Sequence, residues 1–251
     1  MSAPANQTPD MARLYEVVEV TWPAARLIPA APFTLRDGAG GGKRVSAATL
    51  DTPGGTAPEG EIARAASAMR AQGETPLFML RDGDHDFDAQ LAHAGYDIID
   101  PVNIWLSPIE TLSEMTPPRT ASFHIWEPMA IQRDIWAKGG IGPARLAVMD
   151  RATCPKTSLF GRNGDRPAAT GYVGLHDGIA MVHALEVLAS QRRAGQGRWL
   201  MIEAARWAAA QGARHMSVIC TAANTGANAL YSALGMARVG GYHYRIKKDE
   251  D

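Results

Sequence analysis

Val187-Leu188-Ala189-Ser190-Gln191-Arg192-Arg193-Ala194-Gly195-Gln196-Gly197-Arg198 leaves an apolar, strand-like run, crosses a short turn carrying arginine and glycine, and enters a helical pattern. A helix that starts this way presents unpaired N–H groups and a partial positive charge, and glycine lets an anion approach the backbone closely. Arg192, Arg193 and Arg198 add charge-assisted donors around that end. The spacing is not that of a P-loop, which needs four residues between its glycines and then Lys and Ser or Thr. A Rossmann turn is excluded as well, because the glycines follow an antiparallel pattern instead of opening a βαβ unit. On its own the string is also compatible with an ordinary turn before a helix.

The flanking pattern adds direction. Strands are expected at residues 157–162 and 167–175, joined at Asn163-Gly164, a type I′ hairpin signal. Asp177-Gly178 leads into a third strand at 179–188, which completes an antiparallel meander. The helix opened by Gly195-Gln196-Gly197 runs to about Gln211, with Leu200, Ala204, Trp207 and Ala208 at helical spacing and Gly212 at its stop. A strand at 215–221, a helix at 224–234 ended by Gly235, and a strand at 236–247 follow, while 131–136 and 143–151 are helical candidates. Three strands, helix, strand, helix, strand predict an α/β (α+β) domain with a mixed, mostly antiparallel sheet flanked by helices.

A second segment, Asn224-Thr225-Gly226-Ala227-Asn228-Ala229-Leu230-Tyr231-Ser232-Ala233-Leu234-Gly235-Met236, comes after the fifth strand of this order. Together the two segments resemble the GNAT acetyltransferases, which carry an Arg/Gln-x-x-Gly-x-Gly pyrophosphate loop and a later Asn-x-x-Ala-x-x-Leu-Tyr-x-x-x-Gly-Met/Phe stretch. The likeness extends from about Thr157 to the end of the chain. It implies the GNAT fold, N-acetyl transfer to an amine, and acetyl-CoA as cosubstrate with no metal.

By the same resemblance, Leu185, Glu186 and Val187 pair their backbone with the pantetheine arm, a form of strand addition. Arg192, Arg193, Ala194, Gly195, Gln196, Gly197 and Arg198 surround the pyrophosphate, Asn224 contacts the cofactor arm, and Tyr231 lies near the sulfur. A phenol of pKa about 10 is protonated at neutral pH and can donate to a departing thiolate whose conjugate acid has a pKa of about 8.5. An amide near Val187 or Leu188 would stabilise the oxyanion. His183 has a useful pKa for a general base, and simple alternation sets it and Glu186 on opposite faces of the strand. Where family members often carry a strand-four glutamate this chain has Met181, and 215–221 also lacks a carboxylate.

The N-terminal half reads as a degraded copy. A helix at 11–20 is stopped by Pro23, and strand-like segments at 33–36 and 44–50 flank a glycine run, Asp37-Gly38-Ala39-Gly40-Gly41-Gly42-Lys43, taken as a hairpin connection. A helix at 59–72, a strand at 76–80, a helix at 87–94 ending at Gly95, and a strand at 96–106 broken by Pro101 follow. Phe87-Asp88-Ala89-Gln90-Leu91-Ala92-His93-Ala94-Gly95-Tyr96 resembles the last helix and strand of a GNAT unit. Trp22-Pro23, Phe33-Thr34-Leu35-Arg36 and Arg44-Val45-Ser46-Ala47-Ala48 resemble the start of certain two-domain GNAT proteins. No Arg-x-x-Gly-x-Gly string occurs between residues 50 and 61, so this copy is expected not to hold cofactor. The proline-bearing stretch 107–120 reads as the connection. The expected domains are 1–110, a linker at 111–121, and a catalytic domain at 122–251.

With 251 residues, 46% of them hydrophobic, the chain can bury a core in each half. Twenty-five basic against 26 acidic side chains give no electrostatic case for nucleic acid or an anionic membrane as partner. Residues 1–10 are polar with Pro4 and Pro9, unlike a secretory signal, and apolar runs stop short of spanning length; a cytoplasmic protein is expected. Cys154 and Cys220 build neither a disulfide framework nor a metal-ligand spacing. The expected partner is a small primary amine, and a homodimer is compatible with the reading. A protein or peptide N-acetyltransferase and a non-catalytic acetyl-CoA sensor stay open, since a peptide needs an open groove and a small amine a closed pocket.

Overall fold

The computed structural model describes residues 8–247. In chain order the elements begin with α1 (Met11–Thr21), β1 (Arg26–Ala30), β2 (Phe33–Asp37), α2 (Lys43–Ser46), β3 (Thr49–Leu50), α3 (Glu61–Ala71), β4 (Leu77–Arg81), α4 (His85–His93) and β5 (Asp97–Pro108). They continue with α5 (Glu110–Ser113), β6 (Ser122–Ile125), α6 (Ala130–Lys138), α7 (Pro143–Arg151), β7 (Lys156–Asn163), β8 (Arg166–His176) and β9 (Ile179–Val187). A 3-10 turn at Ala189–Gln191, then α8 (Gln196–Ala210), β10 (His215–Thr221), α9 (Thr225–Ala233) and β11 (Ala237–Ile246) complete the order.

Contacts divide the chain into two compact units, and not by one cut near residue 110. The larger unit takes the chain up to Pro23, Ile104–Cys220 and Thr225–Val239; the smaller takes Ala24–Asn103, Thr221–Asn224 and the chain from Gly240. Helix α1 thus groups with the C-terminal elements, because its buried face of Leu14, Tyr15, Val17, Val18 and Thr21 packs on β8 and β9. The stretch read as a linker is also structural. It contains the end of β5 and all of α5, and Ile109 and Leu112 are buried in the core of the larger unit. The amide of Ile109 donates to the carbonyl of Arg214 at 2.9 Å.

In the larger unit β7, β8 and β9 form the expected antiparallel meander. The β8–β9 turn has both Asp177 (φ 48°) and Gly178 (φ 74°) at positive φ, as a type I′ turn requires. The β7–β8 turn is shifted by one residue from Asn163-Gly164. Asn163 pairs with Arg166, the centre is Gly164-Asp165, and only Gly164 is at positive φ (59°). Strand β6, absent from the sequence reading, pairs with β7 at the edge; it is four residues long and mostly exposed, too short and too wet for a visible alternation. On one face α8 packs Leu200, Met201, Ala204, Ala205 and Ala208 against Leu159, Val173, Ala180 and Val182. On the other lie α1 and α6. Gln132 of α6 is buried there, and its amide nitrogen donates to the Leu159 carbonyl and the Ser158 and Thr170 hydroxyls.

The smaller unit repeats the order of elements. β1, β2 and β3 form an antiparallel meander, followed by α3, β4, α4 and the start of β5. Ala48, next to β3, makes a parallel bridge with Phe78 of β4, as β9 pairs parallel with β10. Helix α3 is preceded by Gly60 at φ 81° and α8 by Gly195 at φ 77°. The amide of Tyr96 closes α4 on the Leu91 carbonyl (3.0 Å), as that of Met236 closes α9 on Tyr231 (3.1 Å). Phe33, Phe78, Phe87 and Tyr96 form its aromatic core. Two details correct the sequence reading. Residues 44–46 belong to the short helix α2, and only Thr49–Leu50 is strand. Pro101 sits within an unbroken β5, because Asp100 takes φ 45° and the Pro101 carbonyl still accepts from Ala222.

If 107–120 is core and not linker, Leu112→Ala should destabilise the protein by about 2–4 kcal/mol in a urea titration. A change within about 0.5 kcal/mol, as for an exposed connection, would restore the linker reading.

Candidate functional site

Strand β9 changes character halfway along. Its parallel register with β10 runs from His215↔Ile179 to Val218↔Val182, yet β9 continues to Val187 and β10 to Thr221. On the other side, Tyr172 pairs with His183 and Thr170 with Glu186. Two residues of β9 therefore stand opposite one of β8, a bulge, and Ala184 within it has φ 51°. The indole N–H of Trp136 on α6 donates to the Ala184 carbonyl at 2.8 Å and holds this kink. The Leu188 amide donates to Ala168 at 2.9 Å, so it is not available as an oxyanion donor. Strand alternation then turns the Leu185 and Val187 amides away from β8, toward the side that β10 has left.

The bulge also overturns the expected placement of two side chains. Thr170 and Tyr172 are two residues apart on β8 and share a face, so their partners Glu186 and His183 share it as well. Counting alternate residues along β9 put them on opposite faces because it did not include the extra residue.

His183 does not fit the role of general base. It is buried at 3% exposure, and its Nε2 lies 2.8 Å from the Thr21 hydroxyl. That hydroxyl donates its proton to the Val17 carbonyl, which leaves Nε2 as the donor to Thr21. The ring packs against Trp22 and Tyr172 at 5.1 and 6.0 Å between centroids. Met181 is fully buried.

Beyond β9, the 3-10 turn leads into the loop before α8. Arg193 (φ 65°) and Gly195 (φ 77°) both take left-handed backbone, which curls successive amides toward one side, as in an anion-binding nest. Among the described residues no backbone carbonyl accepts from the amides of residues 193–198. The loop is close-packed from behind. A Cβ at Gly197 would stand 2.9 Å from Leu230 of α9, and one at Gly195 3.1 Å from the Trp199 indole nitrogen. Gln196 is buried, and its side-chain amide donates to the Arg162 carbonyl at 3.1 Å, tying the loop to β7. Ala194 lies between these points. Arg192 donates from Nε to the Val187 carbonyl (3.2 Å), and its guanidinium stands 3.6 Å from the Glu186 carboxylate. Arg198 contacts the Met115 sulfur at 3.5 Å and lies over Trp199.

Tyr231 of α9 is buried at 3% exposure, 6.2 Å from Trp105 between ring centroids. Burial pushes its phenol well above the ordinary value, so it keeps its proton throughout the neutral range. The sequence reading missed the neighbouring polar group, Asn228. Its side-chain oxygen accepts from the Trp105 indole at 3.2 Å and lies 3.4 Å from the Cys220 sulfur. Its position four residues after Asn224 was the available signal. Asn224 itself is exposed, and its amide donates to Thr221 at 3.0 Å in the turn that leads into α9. Among the described residues no group of three His, Cys, Asp or Glu side chains could hold a metal ion, and no helix is long and apolar enough to cross a membrane.

Because the folded pKa of Tyr231 exceeds the unfolded one, its contribution to stability is fully present below about pH 10 and is lost above it. Urea midpoints measured between about pH 8 and pH 11 should therefore fall with pH less steeply for Tyr231→Phe than for the wild type. The same pH dependence in both would show that the phenol is not buried in this way.

Residues 125–236 match the model of the Acetyltransferase (GNAT) family. No curated protein matches the chain. Among solved structures, a GCN5-related N-acetyltransferase from Kribbella flavida is 18% identical, with a TM-score of 0.73 over 95% of this chain and 96% of its own. An acetyltransferase of the GNAT family from Novosphingobium aromaticivorans is 15% identical, with a TM-score of 0.56 over 92% of this chain and 95% of its own. A tandem GNAT protein from the clavulanic acid biosynthesis pathway is 13% identical, with a TM-score of 0.61 over 87% of this chain and 79% of its own. These likenesses are of fold. Residues 125–236 thus form a GNAT-family acetyltransferase domain, the domain of an acyl-transferring enzyme.

Proposed function

We propose that the protein is an acetyl-CoA-dependent N-acetyltransferase that moves an acetyl group to a small primary amine by direct attack on the thioester. One joint observation carries this reading. The partnerless amides of residues 193–198 follow directly on the end of β9 that has lost its strand partner. The first suits a pyrophosphate, and the second suits an amide-bearing arm that adds as a strand. The close packing of Gly195 and Gly197 fits a cradle that a larger side chain would distort.

In this reading residues 193–198 hold the pyrophosphate, with Arg192, Arg193 and Arg198 as charged donors, and the stretch from Leu185 to Val187 runs beside the pantetheine arm, with Glu186 turned by its backbone to β8. Asn224 contacts the arm at the turn into α9. Bound acetyl-CoA supplies an acyl group activated as a thioester. In this reading the Leu185 amide, next to the bulge, stabilises negative charge on its carbonyl oxygen, and the Val187 amide is left for the arm. Tyr231, kept protonated by burial, donates to the departing sulfur, and the acceptor amine loses its proton through water. The smaller unit is a tandem copy that holds no cofactor. Gly60 opens α3 in the place of Gly195, but no arginine occurs from 51 to 60, and β3 is two residues long.

Calorimetric titration with acetyl-CoA, together with thiol release over a panel of amines, tests the function. Binding with release for an alkylamine is expected. Binding without release from any amine would favour a sensor or a protein substrate. Gly195→Val should weaken acetyl-CoA binding about tenfold or more, since valine resists a φ of 77°; unchanged affinity would remove the loop from the site. Tyr231→Phe should lower turnover by about tenfold to a hundredfold while acetyl-CoA affinity changes little, and full turnover would exclude the acid role.

A further inference from the structure

Glu186 has an unusual position for a carboxylate. It lies on the α1/α6 face of β9, two positions past the bulged Ala184, and its side chain is 21% exposed. It packs over the C-terminal end of α6, so closely that a Cβ at Gly139 would stand 2.6 Å from its carboxylate carbon. The C-terminus of a helix carries partial negative charge. A carboxylate held there needs a positive partner, and Arg192 supplies it at 3.6 Å. Arg192 is also the first residue of the loop that would hold the pyrophosphate; its side chain is 63% exposed, and its Nε–H also donates to the Val187 carbonyl at 3.2 Å. A doubly charged pyrophosphate competes for that guanidinium better than one carboxylate does.

We propose that the Arg192–Glu186 pair is an exchange device: cofactor binding transfers the Arg192 guanidinium to the pyrophosphate, and Glu186 is left as the counter-charge for the ammonium of a cationic acceptor amine. This rests on the cofactor reading above and adds the class of acceptor to it. The other titratable group on that stretch of the face, His183, is sequestered by Thr21, Trp22 and Tyr172. Met181 offers no charge. Glu186 and the α6 terminus, whose last residue Lys138 is exposed, lie beside the amide proposed to hold the acyl oxygen. An alkylamine, protonated in neutral solution, gains from that carboxylate, whereas an arylamine, uncharged there, gains nothing.

Calorimetric titration with CoA of the wild type, Glu186→Gln, Arg192→Gln and the double variant tests the exchange, with thermal melts confirming the fold and Glu186→Ala as a second removal of the carboxylate. Glu186→Gln should bind CoA about two- to fivefold more tightly than the wild type, because Arg192 no longer leaves an ion pair. Arg192→Gln should bind about tenfold more weakly, and in that background Glu186→Gln should change nothing. Wild-type binding with unchanged or weaker binding by Glu186→Gln and Glu186→Ala would overturn the exchange and leave the cofactor reading standing. No binding of CoA by the wild type would overturn both. In a second arm, thiol release from acetyl-CoA should be faster with n-butylamine than with aniline, and Glu186→Gln should lose that preference. Release with aniline alone, with neither amine, or with the preference intact in the variant would overturn the counter-charge role.

Discussion

Past Val182 and Val218 the backbone of β9 runs on without the parallel partner that satisfies it up to that point. Inside a sheet this is costly, since a buried amide left unpaired costs about 1–3 kcal/mol. The protein keeps the arrangement by fixing it from several sides. The bulge at Ala184 turns β9, Trp136 bonds the bulged carbonyl, and the Leu188 amide is still paired with β8. The Leu185 and Val187 amides then face the side on which the pairing with β10 has ended. In the proposed function a ligand with its own amides restores the missing ladder, as strand addition does.

The loop before α8 depends on the same geometry. Leaving β9 at Val187, the chain needs the left-handed residues Arg193 and Gly195 to turn into α8, and that turn frees the amides of residues 193–198. Helix α8 keeps them in place because its opposite side is core: Leu200, Met201, Ala204, Ala205 and Ala208 are all fully buried. The layers thus divide the work. Helix α8 presents its amide-bearing N-terminal end, α6 fixes the bulge and lines the other face, and α9 holds Tyr231 in the core.

Much of this was legible in the residues, and what was not has physical causes. The meander, α8, β10, α9 and β11 follow from long alternating or helical runs with glycine stops, where local and tertiary preferences agree. The place of the loop between β9 and α8, and of Tyr231 on α9, was legible because the resemblance rests on dense motifs. The bulge was not legible. Nothing in His183-Ala184-Leu185 marks an extra residue, since the kink is set by Trp136 from another helix, and so the faces of His183 and Glu186 came out wrong. His183 looked like a base because its buried partner Thr21 lies far off in sequence. Ile109 and Leu112 were hidden among prolines, which mark loops by local chemistry but do not report what packs over them. Strand β1 and the short helix α2 were missed because short exposed segments carry no period.

In the proposed function one continuous stretch, from the bulge of β9 to the first turn of α8, receives acetyl-CoA. Amide hydrogen exchange with and without saturating CoA addresses it directly, because the proposed contacts are the partnerless amides themselves. Slowed exchange concentrated at Leu185, Val187 and residues 193–198 is the predicted result. Protection confined to other segments, or none there at a CoA concentration that saturates binding, would contradict the account.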